Sequence, residues 1–390
     1  MATKSKFLPD ERCSKQPLNN RSKTRLIVVQ FCRQQVLDGV YMKVFLLLIL
    51  LWPVFAFAAP IKYADSFMID SNAFGGKREV MISLPDSYNI NSSSVFPVIY
   101  VVRGQLDMLS VIASLDMLST EVPEFIVVGI TGIGEFHPTE TGEPSQFSQL
   151  VHNEVIPYIN KEYRTAPYNI LVGHSGAGRF VMTDWFTRGT DFNEYYLISS
   201  SPGNKQQREH AINIKDDEVK KKGKLLVSIS NEKNSARAMF DEFKTIDALN
   251  NNVRFIEFPE ESHMSGRIPT ITAGLRHSFE NWSPTQDILS GKFELLQNHY
   301  QGLSRQYGFD VDIPLETMKR LSGFDSMSAD ESKWQNAAKV VDYALTKDPS
   351  NADEFFGIVD QVVSFGQIDA SKRLISFICK HTPDHSRCIG

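Results

Sequence analysis

Between Phe96 and Phe258 the chain carries six short, near-continuous apolar runs: Phe96–Val102, Phe125–Ile130, Tyr168–Gly173, Tyr195–Ser199, Leu225–Ser230 and Val253–Phe258. A strand with one wet face alternates apolar and polar residues, as REVMISL does at Arg78–Leu84. A continuous run has no polar side, so it needs cover on both faces. Amphipathic stretches at 147–163, 179–187 and 235–250 lie between the runs and can supply that cover. The pattern predicts an α/β fold with a central, mostly parallel sheet flanked by helices.

Beyond Asn281-Trp282-Ser283-Pro284 the strand signal stops. Residues 331–346, 352–365 and 369–380 read as helices, punctuated by Asp348-Pro349 and Thr382-Pro383. The two prolines are 34 residues apart, the period of a tetratricopeptide helix pair, and Ala337 falls in register with Ser371. A catalytic-size domain is therefore expected over 61–283, followed by an all-α extension over 286–390. That extension reads either as tetratricopeptide-like or as a generic helical tail.

With 390 residues, 42% of them hydrophobic and 22% charged, the chain is outside the collagenous, disordered and multi-span classes. A net charge of −5 gives no basic excess for nucleic acid.

One segment stands apart. Val44–Ala59 holds sixteen residues without a charge, interrupted by Pro53, preceded by Met42-Lys43 and containing Ala56-Phe57-Ala58. It is short for a membrane span. A basic start, a short apolar centre and an A-x-A site define a secretory signal peptide over 42–58. On this reading translation begins at Met42, residues 1–41 are an upstream extension, and the product is periplasmic or secreted, with no membrane anchor after cleavage. The other reading makes 1–43 a cytoplasmic tail on an uncleaved anchor. Cleavage would remove nine basic and three acidic residues from 1–43 and take the net charge to −11. It would also remove Cys13 and Cys32. Cys379 and Cys388 would remain in an oxidising compartment, as a disulfide or as two free thiols.

The chemistry-bearing motif is Gly173-His174-Ser175-Gly176-Ala177-Gly178, between an apolar run and an amphipathic stretch. A nucleophile elbow needs this context: a tight strand-to-helix turn lifts the serine above the sheet, and small neighbours allow the close approach. Ser175 is the candidate nucleophile. Its base should follow the last strand, where His263 lies in Pro259–Met264. His174 would point away from the site, and His137, His152, His210 and His277 read as structural. The acid should follow Leu225–Ser230, which selects Glu232. Glu260 or Glu261 orienting His263, or a Ser–His dyad, are the alternatives, while Asp241 would fall inside a helix. Two backbone donors are needed for the oxyanion: the N–H of Gly176, and that of Gln105 after a turn at Gly104. No metal or cofactor motif is present in the sequence.

The stretches REVMISLPDSY, FPVIYVVRGQ, FIVVGI, NEVIPYINKEYRT, NILVGHSGAGRF and ESHMSGRIPTITAGLRHSF together resemble the putative esterase family of α/β hydrolases. That family includes esterase D-like and trilactone siderophore esterases. The resemblance implies an α/β-hydrolase fold, Ser175 as nucleophile, His263 as base and carboxylic ester hydrolysis. The chain departs from the family in having Arg103-Gly104 for Asp-Gly, Ala177 for Gly, and no Arg in the segment after FIVVGI. The expected function is an exported serine esterase acting on a small ester through an acyl-enzyme. The alternatives are an impaired hydrolase-fold scaffold whose helical tail recruits a peptide, and an acyltransferase or peptidase on the same triad.

Overall fold

The computed structural model describes residues 62–89, 94–132, 144–203 and 205–389. The signal-peptide segment, Cys13, Cys32 and His137 lie outside the described residues.

Eight strands form one sheet: β1 (Asp65–Ser71), β2 (Gly76–Ser83), β3 (Phe96–Val102), β4 (Ile126–Ile130), β5 (Thr165–His174), β6 (Glu194–Ile198), β7 (Lys224–Ser230) and β8 (Val253–Phe258). Their order is β1-β2-β4-β3-β5-β6-β7-β8. β1 and β2 are antiparallel, as are β2 and β4, and every later pair is parallel. All six apolar runs are strands. β1 had no sequence reading of its own.

The runs are apolar throughout because successive residues enter different cores. Ile99 and Val101 of β3 join one hydrophobic cluster, with Ile170, Val172, Tyr196, Ile198 and Leu226. Val98, Tyr100 and Val102 join the other, with Leu171, Tyr195, Leu197, Leu225 and Val227. The period of two is thus present in the structure, although both phases are hydrophobic.

Helices of the catalytic region fill the connections: α1 (Gly104–Met117), α2 (Gln146–Gln149), a π-helical turn (Leu150–Val155), α3 (Ile156–Glu162), α4 (Gly176–Thr187), α5 (Lys205–Asn213), α6 (Asp216–Val219), α7 (Ser235–Lys244) and α8 (Arg267–Ser278). Met108 and Val111 of α1 and Ile271 and Leu275 of α8 cover the first face, while Val181 and Trp185 of α4 and Phe240 of α7 cover the second.

The remaining elements are helical: α9 (Gln286–Ser290), α10 (Phe293–Tyr307), α11 (Leu315–Met327), α12 (Glu331–Lys347), α13 (Ala352–Ser364) and α14 (Ile368–His381). Ala337 and Ser371 are both buried, on the packed pair α12 and α14. Cys379 and Cys388 form a disulfide with Cα atoms 5.5 Å apart, tying the last residues to α14. These helices share the first hydrophobic cluster with the sheet. At the junction Phe279 meets Phe125 edge-on at 5.6 Å, and Tyr307 Oη donates to Ser278 O at 2.9 Å.

Candidate active site

Ser175 closes β5 and opens α4 with φ 57° and ψ −120°, a conformation that an L-residue holds only under constraint. Its N–H donates to Ile198 O at 2.9 Å, and its carbonyl accepts from Gly178 N at 3.1 Å and Ser201 N at 3.0 Å. Crowding accounts for two of the glycines. A Cβ on Gly173 would stand 2.6 Å from Val181 Cγ2 and 2.7 Å from Ala177 O; one on Gly178 would stand 2.8 Å from Ser200 Cβ. The Ala177 methyl is accommodated in the second core, so the family's extra glycine is not required here.

The oxyanion candidates Gly176 and Gln105 lie in the first turns of α4 and α1. These helices rise from β5 and β3, which are adjacent strands. The turn before α1 differs from expectation. Arg103, not Gly104, takes the left-handed backbone, with φ 64°. Gly104 is needed for proximity instead, since a Cβ there would stand 2.3 Å from Gly129 Cα in β4. The Gln105 side chain donates to Gly132 O at 2.8 Å, anchoring the start of the helix.

His263 and Glu232 come together from separate loops. His263 Nδ1 lies 3.2 Å from Glu232 Oε1, off the line of a good hydrogen bond. The histidine side chain is 37% exposed and the glutamate side chain 5%. Burial alone would raise the Glu232 pKa, but the Asn234 hydrogen bond and the polar neighbours Ser199 and His263 outweigh it and hold the carboxyl below its ordinary value. Asn234 Nδ2 donates to Glu232 Oε2 at 3.0 Å. Asn234 is also the N-cap of α7, its Oδ1 accepting from Ala236 N and Arg237 N, so one residue fixes the helix start and the acid. Glu261 meets this loop through its main chain, Asn231 N donating to its carbonyl at 2.9 Å. Asp241 points to Arg237 on the outer face of α7.

His174 is placed differently from expectation. It is buried, its ring centroid is 4.6 Å from that of His263, and its Nε2 donates to His263 O at 2.8 Å. Asp107, Arg103, Arg267, Ser199 and Asn234 were also missed. Among the described residues, the non-glycine positions with positive φ are Arg103, Ser175 and Ser199. They follow β3, β5 and β6, three neighbouring strands. Arg103 contacts His174, Ser175 is the candidate nucleophile, and Ser199 Oγ meets Ser230 Oγ at 3.4 Å. Backbone strain is thus concentrated at the C-terminal ends of the central strands. Among the described residues no group of three or more His, Cys, Asp or Glu side chains is gathered as a metal site.

A strained serine at a parallel strand-to-helix turn, preceded by a residue whose ring meets that of a carboxylate-paired histidine from a later loop, fits the class of α/β-hydrolase esterases. The Putative esterase family matches residues 71–282, and the chain belongs to that family. It is a carboxylic ester hydrolase. The fold is similar to that of an IroE-like serine hydrolase from Shewanella oneidensis, at 21% identity and a TM-score of 0.55, over 71% of this chain and 98% of that one. It is also similar to an uncharacterised protein from Capnocytophaga ochracea, at 17% identity and a TM-score of 0.54, over 80% of this chain and 92% of that one. No curated protein matches the sequence.

Proposed function

We propose that the protein is an exported serine esterase in which Ser175 attacks the ester carbonyl and His263 acts as general base and then general acid. The observation that carries this reading is the strained Ser175 turn, together with the His263–Glu232 pair at 3.2 Å, whose histidine ring lies 4.6 Å from that of His174, the residue before Ser175. Glu232 at Nδ1 leaves Nε2 of His263 for the serine proton. Held ionised by its polar neighbours, Glu232 stabilises the imidazolium formed as the proton arrives. The N–H groups of Gly176 and Gln105 receive the developing oxyanion, each reinforced by the dipole of a helix start. His263 then protonates the departing alcohol, and water resolves the acyl-enzyme by the same route in reverse.

Export is inferred from residues 42–58, and mass spectrometry of the mature N-terminus tests it: a start near Ala59 supports export, and an intact N-terminus upstream of Met42 refutes it. The ligand is a small ester, and the helical tail offers a surface for a peptide partner. Hydrolysis of short-chain p-nitrophenyl esters tests the catalytic reading. Wild type should turn over and label with a fluorophosphonate, and Ser175→Ala should do neither. Equal rates for the two proteins would overturn it.

A further inference from the structure

His263 is held from two sides. Glu232 meets its ring, and His174 meets its main chain, with Nε2 donating to the His263 carbonyl at 2.8 Å. His174 is itself held. Its Nδ1 lies 3.3 Å from Arg103 Nη2 and 3.5 Å from Asp107 Oδ1. An arginine can only donate, so a neutral His174 with its proton on Nε2 satisfies the carbonyl and the guanidinium together.

Asp107 is the centre of this arrangement. It is almost fully buried on α1, and two guanidiniums converge on it: Arg103 Nε and Nη2 at 3.2 and 3.1 Å, and Arg267 Nη1 at 2.8 Å. Arg267 also donates to Met264 O at 2.9 Å and Leu106 O at 3.2 Å, so it ties α1 to the residue after His263. The groups facing His174 are therefore Arg103 and Asp107 from α1 and His263 from its loop. Those facing His263 are His174 from β5 and Glu232 from the loop after β7. Arg103 reaches this place through its left-handed turn.

Resting on the reading of Ser175 and His263 as the reacting pair, we infer that His174 is a positioning residue: held by Arg103 and Asp107, it fixes the His263 loop through the His263 carbonyl. It touches neither the ester nor the transferred proton. A loop carrying a half-exposed base needs such a fixture, because a displacement of about 1 Å can cost about 10²-fold in rate.

The test compares His174→Leu with His174→Gln in the full chain, using p-nitrophenyl acetate. A glutamine can donate to the His263 carbonyl and accept from Arg103; leucine can do neither. His174→Leu should lower kcat by about 10²-fold with KM within about threefold of wild type, and His174→Gln should restore most of that loss. A role in packing alone would lower the folded fraction of both variants and leave kcat per folded enzyme unchanged; that result overturns the inference. So does equal impairment of kcat in the two variants. Should His174→Leu fail to fold, Arg103→Asn reads the same contact, since asparagine tolerates the left-handed backbone. It should lower kcat by about tenfold at unchanged KM, and an unchanged kcat would overturn the inference. Ser175→Ala separates the two levels: if it retains activity, the catalytic reading fails; if it is inactive while His174→Leu keeps full kcat, only the positioning role fails.

Discussion

Two histidine–carboxylate clusters are built differently. His263 has one carboxylate, Glu232, and a side chain 37% exposed. His152 has two: Nε2 is 2.6 Å from Asp184 and Nδ1 is 3.1 Å from Asp191. Its side chain is 3% exposed and packs edge-on against Phe192. His152 thus has the shorter, drier and more complete arrangement, and no free ring nitrogen. His263 has the looser contact and one nitrogen left for a proton in flight. Contact quality alone would select His152 rather than His263, the base of the proposed mechanism. What distinguishes a base is an unfilled position beside a nucleophile.

The contrast is broken most sharply by deletion. His263→Ala should lower kcat by about 10⁴-fold or more, with little change in Tm. His152→Ala should do the reverse: about 3 kcal/mol of stability is lost because Asp184 stays buried without its partner, while kcat per folded molecule is retained. Urea denaturation combined with active-site titration separates the two. If His152→Ala lost kcat in the folded fraction, the assignment of roles would be wrong.

A smaller effect concerns acid. The Glu232 pKa is held below its ordinary value in the folded chain. Its ionisation therefore stabilises the fold above the unfolded carboxylate range, about pH 4.3, and that contribution is lost as pH falls through the folded value. The urea midpoints of wild type and Glu232→Gln should differ most near neutrality and converge in acid; a gap independent of pH would contradict this. Asp107 has a lowered pKa, with burial opposing and its contacts with His174 and Arg267 and the charge of Arg103 favouring ionisation, so it contributes with the same sign. The smallest change expected is from Asp191→Asn. Its side chain is 30% exposed and shared with Arg188, so the loss should be under about 1 kcal/mol by denaturation.

The strands were legible because parallel strands buried on both faces leave runs that few other structures require. The elbow was legible because its chemistry restricts residue types over six consecutive positions. α10 carries a legible signal as well: Phe293, Leu296, Tyr300, Leu303 and Tyr307 recur at helical spacing and all are buried. Ser199, Asn234 and Asp107 were not legible. Their roles arise where β6, the β7–α7 loop and α1 meet, and no local pattern specifies that meeting. His174 was expected to turn from the site. Alternation does send it to the face of α1 and α8, and the loop entering α8 brings the His263 carbonyl to that face.

The core that the sheet shares with α10–α14 has a consequence for how the chain comes apart. Ile99 in β3 and Ile378 in α14 belong to one buried cluster, so the two should lose their burial in a single cooperative transition. A chain ended near Pro284 would keep the sheet and the catalytic loops. It would also uncover the parts of Tyr168, Phe279 and Trp282 that Tyr307 packs against, an apolar area on the order of a few hundred Å². A patch of that size promotes self-association. The helical region is thus expected to keep the enzyme soluble, and a truncated chain that stays monomeric by gel filtration would contradict this.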